Sequence, residues 1–311
     1  MTPETTCAPS AGPGRTSINR RLAGLAVVAA VTIGCFGKPL YELARFCLSS
    51  DLFSYIPLIP LISLWLVWTA RRGLRLDSEP TRRLALFPLA AGILLLAAYY
   101  SATRAGWRPD IADYLALMTA SLLSLLLAGC FLFLGTATLR AAAFPAAFLI
   151  FAVPLPARAN EAITHFLQYR SADVAYVMFI ISGTPILRQG ILFHLPGFNL
   201  EVDPECSGIH SSLILLVTAI LAGHLLLRTL SRRVILAFGA IAISLLRNGL
   251  RILIVGQLCV HIGPEMIDSY IHRHGGPIFF ALSLIPLYLL LIALQRSEPS
   301  APGRISTEKP I

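Results

Sequence analysis

Long apolar segments alternate with short polar segments along most of the chain. Apolar runs of about 15 to 29 residues recur, and arginines gather between them. A helix rises about 1.5 Å per residue, so about 20 apolar residues cross a hydrocarbon core of about 30 Å. The pattern therefore predicts an all-α polytopic membrane protein with about eight transmembrane helices. The predicted spans are 22–36, 52–69, 84–102, 112–135, 139–153, 209–227, 234–262 and 277–294.

The segment between the fifth and sixth predicted spans has a different pattern. Residues 153–182 are mixed in their first half, and their second half has an apolar run of only about ten residues. That run is too short to span, so we expect a helix at the membrane interface. Residues 184–205 alternate apolar and polar positions around Pro–Gly and Gly–Phe–Asn turns, which predicts a small extracytoplasmic β-hairpin.

The two ends of the chain lack such apolar runs. Residues 1–18 are rich in Thr, Pro, Ser and Gly, and the tail after Arg296 is rich in Ser, Pro and Lys. We expect a disordered cytoplasmic head (1–21) and tail (296–311) around a single transmembrane domain (22–295). The first apolar run is short enough for a cleaved signal peptide. Lys38 and Pro39 follow it instead of a small-residue cleavage site, so an uncleaved span is preferred.

Composition supports a membrane protein and argues against nucleic-acid binding. Of the 311 residues, 56% are hydrophobic and 13% charged, whereas soluble domains average about 45–50% apolar and about 25% charged. The net charge is +9, but 23 of the 25 basic residues are arginines scattered between apolar runs. Such arginines indicate which loops are cytoplasmic, and they do not form a face that binds nucleic-acid phosphates. With a cytoplasmic N-terminus and eight spans, the more basic segments lie inside: 1–21, 70–83, 135–140, 228–233 and 296–311.

One of the six cysteines has a setting suited to chemistry. No CxxC pair and no zinc-type spacing is present. Cys206 lies in VDPECSGIHSS, where a polar loop enters a long apolar helix. A helix N-terminus favours thiolate over thiol, so we predict that Cys206 is a nucleophile. We expect neither a cofactor nor a metal ion, because Cys206, His210 and His272 form no compact ligand motif.

Two arginines interrupt the seventh predicted span. Arg247 and Arg251 are four residues apart in SLLRNGLRI, so on a helix they share one face. Ionisable residues inside a span are candidates for function. The topology places Arg251 in the outer half of the bilayer, at the level of Cys206. Snorkelling to the interface is the alternative, and it fits Arg251 poorly because four apolar residues follow it.

Histidines near the last span complete a candidate site. His272 and His274 precede the eighth span on the predicted outer side. Cysteine, arginine and histidine from three segments would then meet in one leaflet, as nucleophilic acyl transfer requires. In such a site histidine transfers protons, and arginine holds the substrate carbonyl or stabilises the oxyanion. His210 lies four residues after Cys206 and either tunes the thiol or faces water.

The same residues resemble the motifs of the exosortase/archaeosortase family. ECSGIHSS resembles the family's cysteine motif, NGLRI its N-x-x-R motif through Asn248 and Arg251, and HRHGGPIFF its H-x-x-x-G-W-x-x-F motif. The segment from Asp51 and the stretch before Cys206 also resemble family segments, so the likeness covers about residues 40 to 295. Pro277 stands where the family has Trp, and the sequence HRH makes His274 a rival to His272.

The resemblance implies a membrane-bound cysteine protease or transpeptidase. Its partners would be exported proteins whose C-terminal sorting signal has a recognition motif, a transmembrane helix and a basic tail. Membrane lipid would surround the enzyme, and water or an amine on a lipid or glycan acceptor would resolve the acyl-enzyme. The implied location is the bacterial inner membrane, with the site on the extracytoplasmic face. The implied catalytic residues are Cys206, Arg251 and His272, with His274, Arg247, Asn248 and His210 as further candidates for catalysis or substrate positioning.

Two other classes of function remain as alternatives. A transporter or channel with an arginine-lined anion site predicts polar residues throughout the depth of the bilayer. Here they cluster on one predicted side, and no inverted repeat is visible. A non-catalytic membrane protein of exopolysaccharide assembly would not need Cys206.

Overall fold

The computed structural model describes residues 15–71, 81–202, 208–263, 265–266 and 275–298. The predicted head before residue 15 and the predicted tail after residue 298 lie outside these ranges. A short 3₁₀ turn, Leu149–Ala152, follows the sixth helix. The helices are α1 (Arg15–Cys35), α2 (Gly37–Ser49), α3 (Leu58–Ala70), α4 (Arg82–Arg104), α5 (Ile111–Ala141), α6 (Ala143–Phe148), α7 (Ala157–Ile181), α8 (Ile209–Leu226), α9 (Leu230–His261) and α10 (Gly276–Arg296).

The described helices do not confirm eight spans. Within the described ranges, α4, α5, α8, α9 and α10 are long and apolar enough to cross a membrane. The number rises to seven if two bent pairs, α1 with α2 and α6 with α7, each form one span. The first helix also begins at Arg15 instead of Leu22, so the end of the predicted head is helical. The protein is a multi-pass helical membrane protein with five to seven candidate spans.

Prolines account for two of the predicted spans that differ. The second predicted span becomes α3, whose 13 residues rise only about 20 Å. It begins after Pro57, because proline fixes φ and restricts the residue before it. The fifth predicted span ends at Ala152, and Val153 adopts an extended conformation before Pro154. The helix that follows, α7, has 25 residues and is longer than the interfacial helix that the sequence predicts.

The chain divides into two compact units, Met1–Ala159 and Asn160–Ile311. In the first unit, α1 and α4 pack against α5 through small residues. A Cβ at Gly92 of α4 would lie 3.0 Å from the Leu125 side chain and 3.2 Å from the Ser121 carbonyl oxygen. The α5 helix is interrupted at Gly135, which has φ 76°, at the place where the fourth predicted span ends.

In the second unit, α8, α9 and α10 pack around an apolar cluster. Its buried members are Leu215, Ala219, Leu227, Leu236, Ala240, Leu287 and Leu291. Glu298, just after α10, accepts a 2.7 Å hydrogen bond from the Arg228 backbone N–H and lies 3.7 Å from the Arg232 guanidinium. The Arg228 N–H and the charge of Arg232 hold the pKa of Glu298 below its usual value. These contacts fix the end of α10 to the turn between α8 and α9.

A small antiparallel sheet precedes α8. It has three strands, β1 (Leu187–Gln189), β2 (Leu192–Leu195) and β3 (Phe198–Glu201), in the order β1-β2-β3. The predicted two-stranded hairpin is therefore a three-stranded meander. Glycine forms both of its turns, because Gly190 (φ 65°) and Gly197 (φ 89°) adopt left-handed backbone conformations.

The sheet packs on α7 and α9 through alternating apolar side chains. Phe193, Leu195, Leu200 and Val202 point to one face. They form a buried cluster with Ala172, Ala175 and Phe179 of α7 and Ile252 of α9. The α7 helix thus carries the sheet, and α9 supports both.

Two glycines of α9 allow α7 to come close. A Cβ at Gly249 would lie 2.6 Å from Val174 Cγ1 and 3.1 Å from the Ala175 backbone nitrogen. A Cβ at Gly256 would lie 2.5 Å from Phe179 Cζ. A side chain at Gly249 would press on the backbone of α7, and one at Gly256 would displace the Phe179 ring.

We expect Gly249→Ala to lower the free energy of unfolding by about 1–3 kcal/mol, because the new methyl group overpacks the contact with α7. Gly34→Ala is the matched control, since a Cβ there meets nothing within 4 Å. Its gain in helix propensity, up to about 1 kcal/mol, is unopposed. Thermal unfolding of the two purified variants in detergent measures the difference. Equal melting temperatures would contradict the tight α7–α9 contact.

Candidate functional site

Residues 203–207, here called the cysteine loop, contain Cys206 and lie outside the described residues. The structure defines what precedes and follows them. Val202, at the end of β3, is buried, and its N–H donates a 3.0 Å hydrogen bond to the Ile191 carbonyl. The Val202 carbonyl accepts a hydrogen bond from the Gln168 side-chain amide of α7. The chain therefore enters the cysteine loop from a fixed strand end.

Gly208, which follows the cysteine loop, packs against α9. Its φ of 69° and ψ of 22° are left-handed, and α8 begins at the next residue. A Cβ at this position would lie 2.9 Å from Arg247 Nη2 and 3.0 Å from Asn248 Oδ1. Backbone conformation and space both require glycine here. This contact brings the cysteine motif and the arginine motif together.

The α9 residues in this contact are polar and buried. Arg247 is 7% exposed and Asn248 2% exposed. In the described part of the chain, Arg247 Nη1 has no hydrogen-bond partner. Arg251 is half-buried and close enough to Arg247 for their like charges to interact. The site end of α9 therefore carries two neighbouring cations in a largely desolvated place.

The packing of α8 on α9 sets the level of these arginines. The two helices are in contact from Gly223, beside Arg233, to Gly208, beside Arg247. With 18 residues, α8 is about 27 Å long, close to the hydrocarbon thickness of about 30 Å. The arginines therefore lie at a level where a polar boundary is expected.

His210 lies in the first turn of α8 and is half-buried. The sequence predicts that His210 shares a helical face with Cys206, which requires both residues to lie in one helix. The structure describes α8 only from Ile209, so this stays a prediction. His272 and His274 also lie outside the described residues, so their roles stay predictions.

The residues after the histidines begin α10. Gly276 and Pro277 form its first turn, where proline costs no hydrogen bond. Phe280, the last residue of the predicted histidine motif, packs against the apolar cluster of α8, α9 and α10. This part of the motif anchors the helix that follows the histidines.

The structure adds two features that the sequence did not predict. Gln168 holds the end of β3 before the cysteine loop through its hydrogen bond to the Val202 carbonyl. In the sequence it is only one polar residue in a mixed segment, which does not indicate this role. A cavity of about 370 Å³, here called the lateral groove, lies between α7, α9 and α10. It is lined mainly by Met178 of α7, Ile243, Leu246, Arg247 and Leu250 of α9, and Leu282 and Ile285 of α10.

The model of the transmembrane exosortase family (Exosortase_EpsH) matches residues 47–289. The chain belongs to this family. The match covers the cysteine loop, Gly208 and the α9 arginines of this exosortase, and confirms the resemblance seen in its motifs. Searches of curated proteins and of solved structures found no match for this chain.

We expect Gly208→Ala to destabilise the exosortase more than Gly183→Ala. Both glycines have positive φ, 69° and 74°, so alanine costs roughly 1–2 kcal/mol of backbone strain at either position. A Cβ at Gly183 meets nothing within 4 Å, whereas a Cβ at Gly208 meets Arg247 and Asn248. Overpacking adds about 1–3 kcal/mol at Gly208 alone. Thermal unfolding in detergent compares the variants, and equal losses would argue against the Gly208–α9 contact.

Proposed function

We propose that this exosortase is a membrane-embedded cysteine protease or transpeptidase that cleaves C-terminal sorting signals of exported proteins. The observation that carries the proposal is the contact of Gly208 with Arg247 and Asn248. Gly208 follows Cys206 by two residues, so a thiol nucleophile, a buried cation (Arg247) and a half-buried cation (Arg251) come from neighbouring segments. Family membership over residues 47–289 supports the same reaction class.

The reaction proceeds in two steps through a thioester. The Cys206 thiolate attacks the scissile carbonyl carbon, and the resulting oxyanion collapses with loss of the amine. His272 or His274 gives that amine its proton. Water or an amine of a lipid or glycan acceptor then attacks the thioester and loses a proton to the same histidine, and the thiolate leaves. Hydrolysis and transpeptidation differ only in this second nucleophile.

The arginines act on charge in both steps. Arg251 donates hydrogen bonds to the oxyanion, and a guanidinium suits this role because it stays charged and offers several donors. Arg247 adds positive potential one turn away, on the same face of α9. Positive charge nearby also favours the thiolate form of Cys206. Asn248 fixes the position of Gly208 instead of contacting the substrate.

The local distribution of charge supports an extracytoplasmic site. Arg228, Arg232 and Arg233 lie at the turn between α8 and α9, at the opposite end of these helices from Gly208. Basic turns are typically cytoplasmic. This argument uses α8 and α9 alone, so it does not depend on the number of spans. The inner membrane of a bacterium is the proposed location.

The packing of α8, α9 and α10 gives less support to an anion transporter. Buried residues of the apolar cluster, including Leu215, Leu236 and Leu287, occupy the space between these helices. A transport path needs polar groups across this depth. The described polar groups of the site gather instead around Gly208.

Replacing Cys206 by alanine is expected to abolish processing, because no other group takes the place of the thiolate. The substrate is an exported reporter ending in a candidate sorting signal from the same genome, and a gel separates its full-length and cleaved forms. Cys35→Ala is the control, since Cys35 is an exposed free cysteine of α1. Full processing by the Cys206→Ala variant would overturn the proposed function.

Replacing Arg251 by alanine is expected to lower kcat about 10²–10³-fold, which is the usual cost of losing a hydrogen-bond donor to the oxyanion. Arg251→Lys should recover only part of it, because lysine lacks the planar fork. Arg83→Ala, at an exposed position of α4, is the matched loss of charge. Initial rates of reporter cleavage give the comparison. An unchanged kcat would remove Arg251 from the mechanism and leave Cys206 in place.

The histidine is assigned by comparing His272→Ala with His274→Ala in the same assay. Only the variant that lacks the acid/base should lose turnover, since the amine then leaves without its proton. Normal rates in both single variants and in the double variant would exclude this histidine pair from the reaction.

A further inference from the structure

We infer that the free edge of β3, its side away from β2, binds the exported substrate as an added, parallel β-strand. The occupant is the extended segment that lies before the cleavage site, so the inference rests on the proposed function. A strand edge binds a peptide through main-chain hydrogen bonds, and the side chains around it then select among sequences.

The backbone of β3 has hydrogen-bonding groups on both sides, and the sheet uses only one side. Val202 donates its N–H to the Ile191 carbonyl, on the β2 side. Because ladder hydrogen bonds alternate along an antiparallel pair, Leu200 also faces β2. The N–H and C=O groups of Asn199 and Glu201 therefore point to the free edge. Within the described part of the chain, these four groups have no backbone partner.

The two residues with outward backbone groups are also exposed. Asn199 and Glu201 lie on the outer face of the sheet, whereas Leu200 and Val202 are buried in the cluster with α7 and α9. The Asn199 side-chain oxygen is 2.7 Å from His194 Nδ1 on β2. This contact holds the Asn199 side chain across the sheet and away from the free edge. A peptide can therefore approach this backbone from solvent.

The β3 strand runs towards the membrane. At its start, Phe198 pairs with Leu195. Leu195 lies at the level of Gly256 in α9, since a Cβ on that glycine would be 3.4 Å from Leu195 Cδ1. After the end of β3, Gly208 lies beside Arg247. These two levels are about 13 Å apart along α9. The chain thus descends from the proposed extracytoplasmic end of α9 towards the expected membrane boundary.

A substrate would follow the same direction. Its exported part lies outside and its transmembrane helix follows the cleavage site, so its main chain also descends into the bilayer. Such a strand is parallel to β3. Parallel strands form evenly spaced, slanted hydrogen bonds, so Asn199 and Glu201 would bind every second residue of the peptide. The cysteine loop begins two residues after Glu201, so this edge leads the peptide towards the proposed nucleophile.

The opposite edge of the sheet, on β1, is less suited to this role. Leu187 and Gln189 use their backbone groups to pair with β2. Arg188, the middle residue of this strand, offers outward backbone groups at one position, whereas β3 offers them at two. The Arg188 guanidinium also lies 2.8 Å from the Asp173 carboxylate of α7. In the strand order, β1 is farthest from the cysteine loop.

The experiment is a peptide titration of the full-length Cys206→Ala variant in detergent, followed by fluorescence anisotropy. The probe is a labelled synthetic peptide that copies the reporter's sorting signal with its transmembrane helix. In a series of peptides, one amide before the helix is N-methylated at a time, which removes one donor. We expect affinity to fall roughly 3- to 10-fold at two amides separated by one residue, and to stay unchanged at the amide between them.

This alternation is the signature of strand pairing, because a pocket that reads side chains gives no period of two. Losses at consecutive amides, or at none, would overturn the inference. Absence of binding by the unmethylated peptide would overturn it as well.

A proline variant tests the same hydrogen bonds from the enzyme side, in the same Cys206→Ala background. Glu201→Pro removes an N–H that points away from the ladder, and edge strands tolerate proline at such positions. It should bind the peptide roughly 3- to 10-fold more weakly than Glu201→Ala, which keeps the N–H. Equal binding by the two variants would contradict the pairing. The N-methyl series decides the matter if Glu201→Pro does not fold.

The proposed reaction and the proposed strand pairing fail in different measurements. Full processing of the reporter by the Cys206→Ala variant would remove the reaction. Lost processing in that variant, together with a flat N-methyl series, would keep the reaction and remove the pairing at β3.

Discussion

The start of α8 lies against the middle of α9 with no room for a methyl group between them. Gly208 meets Arg247 and Asn248 there, so two polar side chains contact bare backbone near the expected boundary of the hydrocarbon core. The rest of the second unit maintains this contact. Gln168 holds the preceding strand end, the α9 glycines let α7 carry the sheet close, and the apolar cluster aligns α8 with α9. Loss of any of these supports would alter the position of Gly208.

The sequence predicted helices well where apolar residues run without interruption. The spans over α4, α8, α9 and α10 lie within a few residues of their observed bounds. It failed where proline acts on the backbone, at Pro57 and around Pro154, because hydropathy averages over residues that break a helix. The additional strand, β1, is too short for alternation to reveal, and only its pairing with β2 defines it.

The candidate site was predictable as a set of residues and unpredictable as a geometry. Periodicity places Arg247 and Arg251 on one face of α9, and the family motifs indicate which residues matter. The burial of Arg247, the role of Gln168 and the lateral groove follow from contacts between segments far apart in sequence. Such contacts leave no local pattern. Cys206, His272 and His274 lie outside the described residues, and their geometry stays a prediction.

The length of α8 has a consequence for the choice of membrane. Its 18 residues match a core of about 30 Å, and its two ends are fixed to α9 at Arg233 and Arg247. Rigid helices cannot stretch, so a thicker bilayer would place Arg247 among acyl chains and a thinner one would lift it into water. A mismatch between helix length and bilayer thickness costs fractions of a kcal/mol per ångström, which is enough to change the depth of Arg247 in the bilayer. Bilayer thickness, which lipid composition sets, therefore determines the surroundings of Arg247.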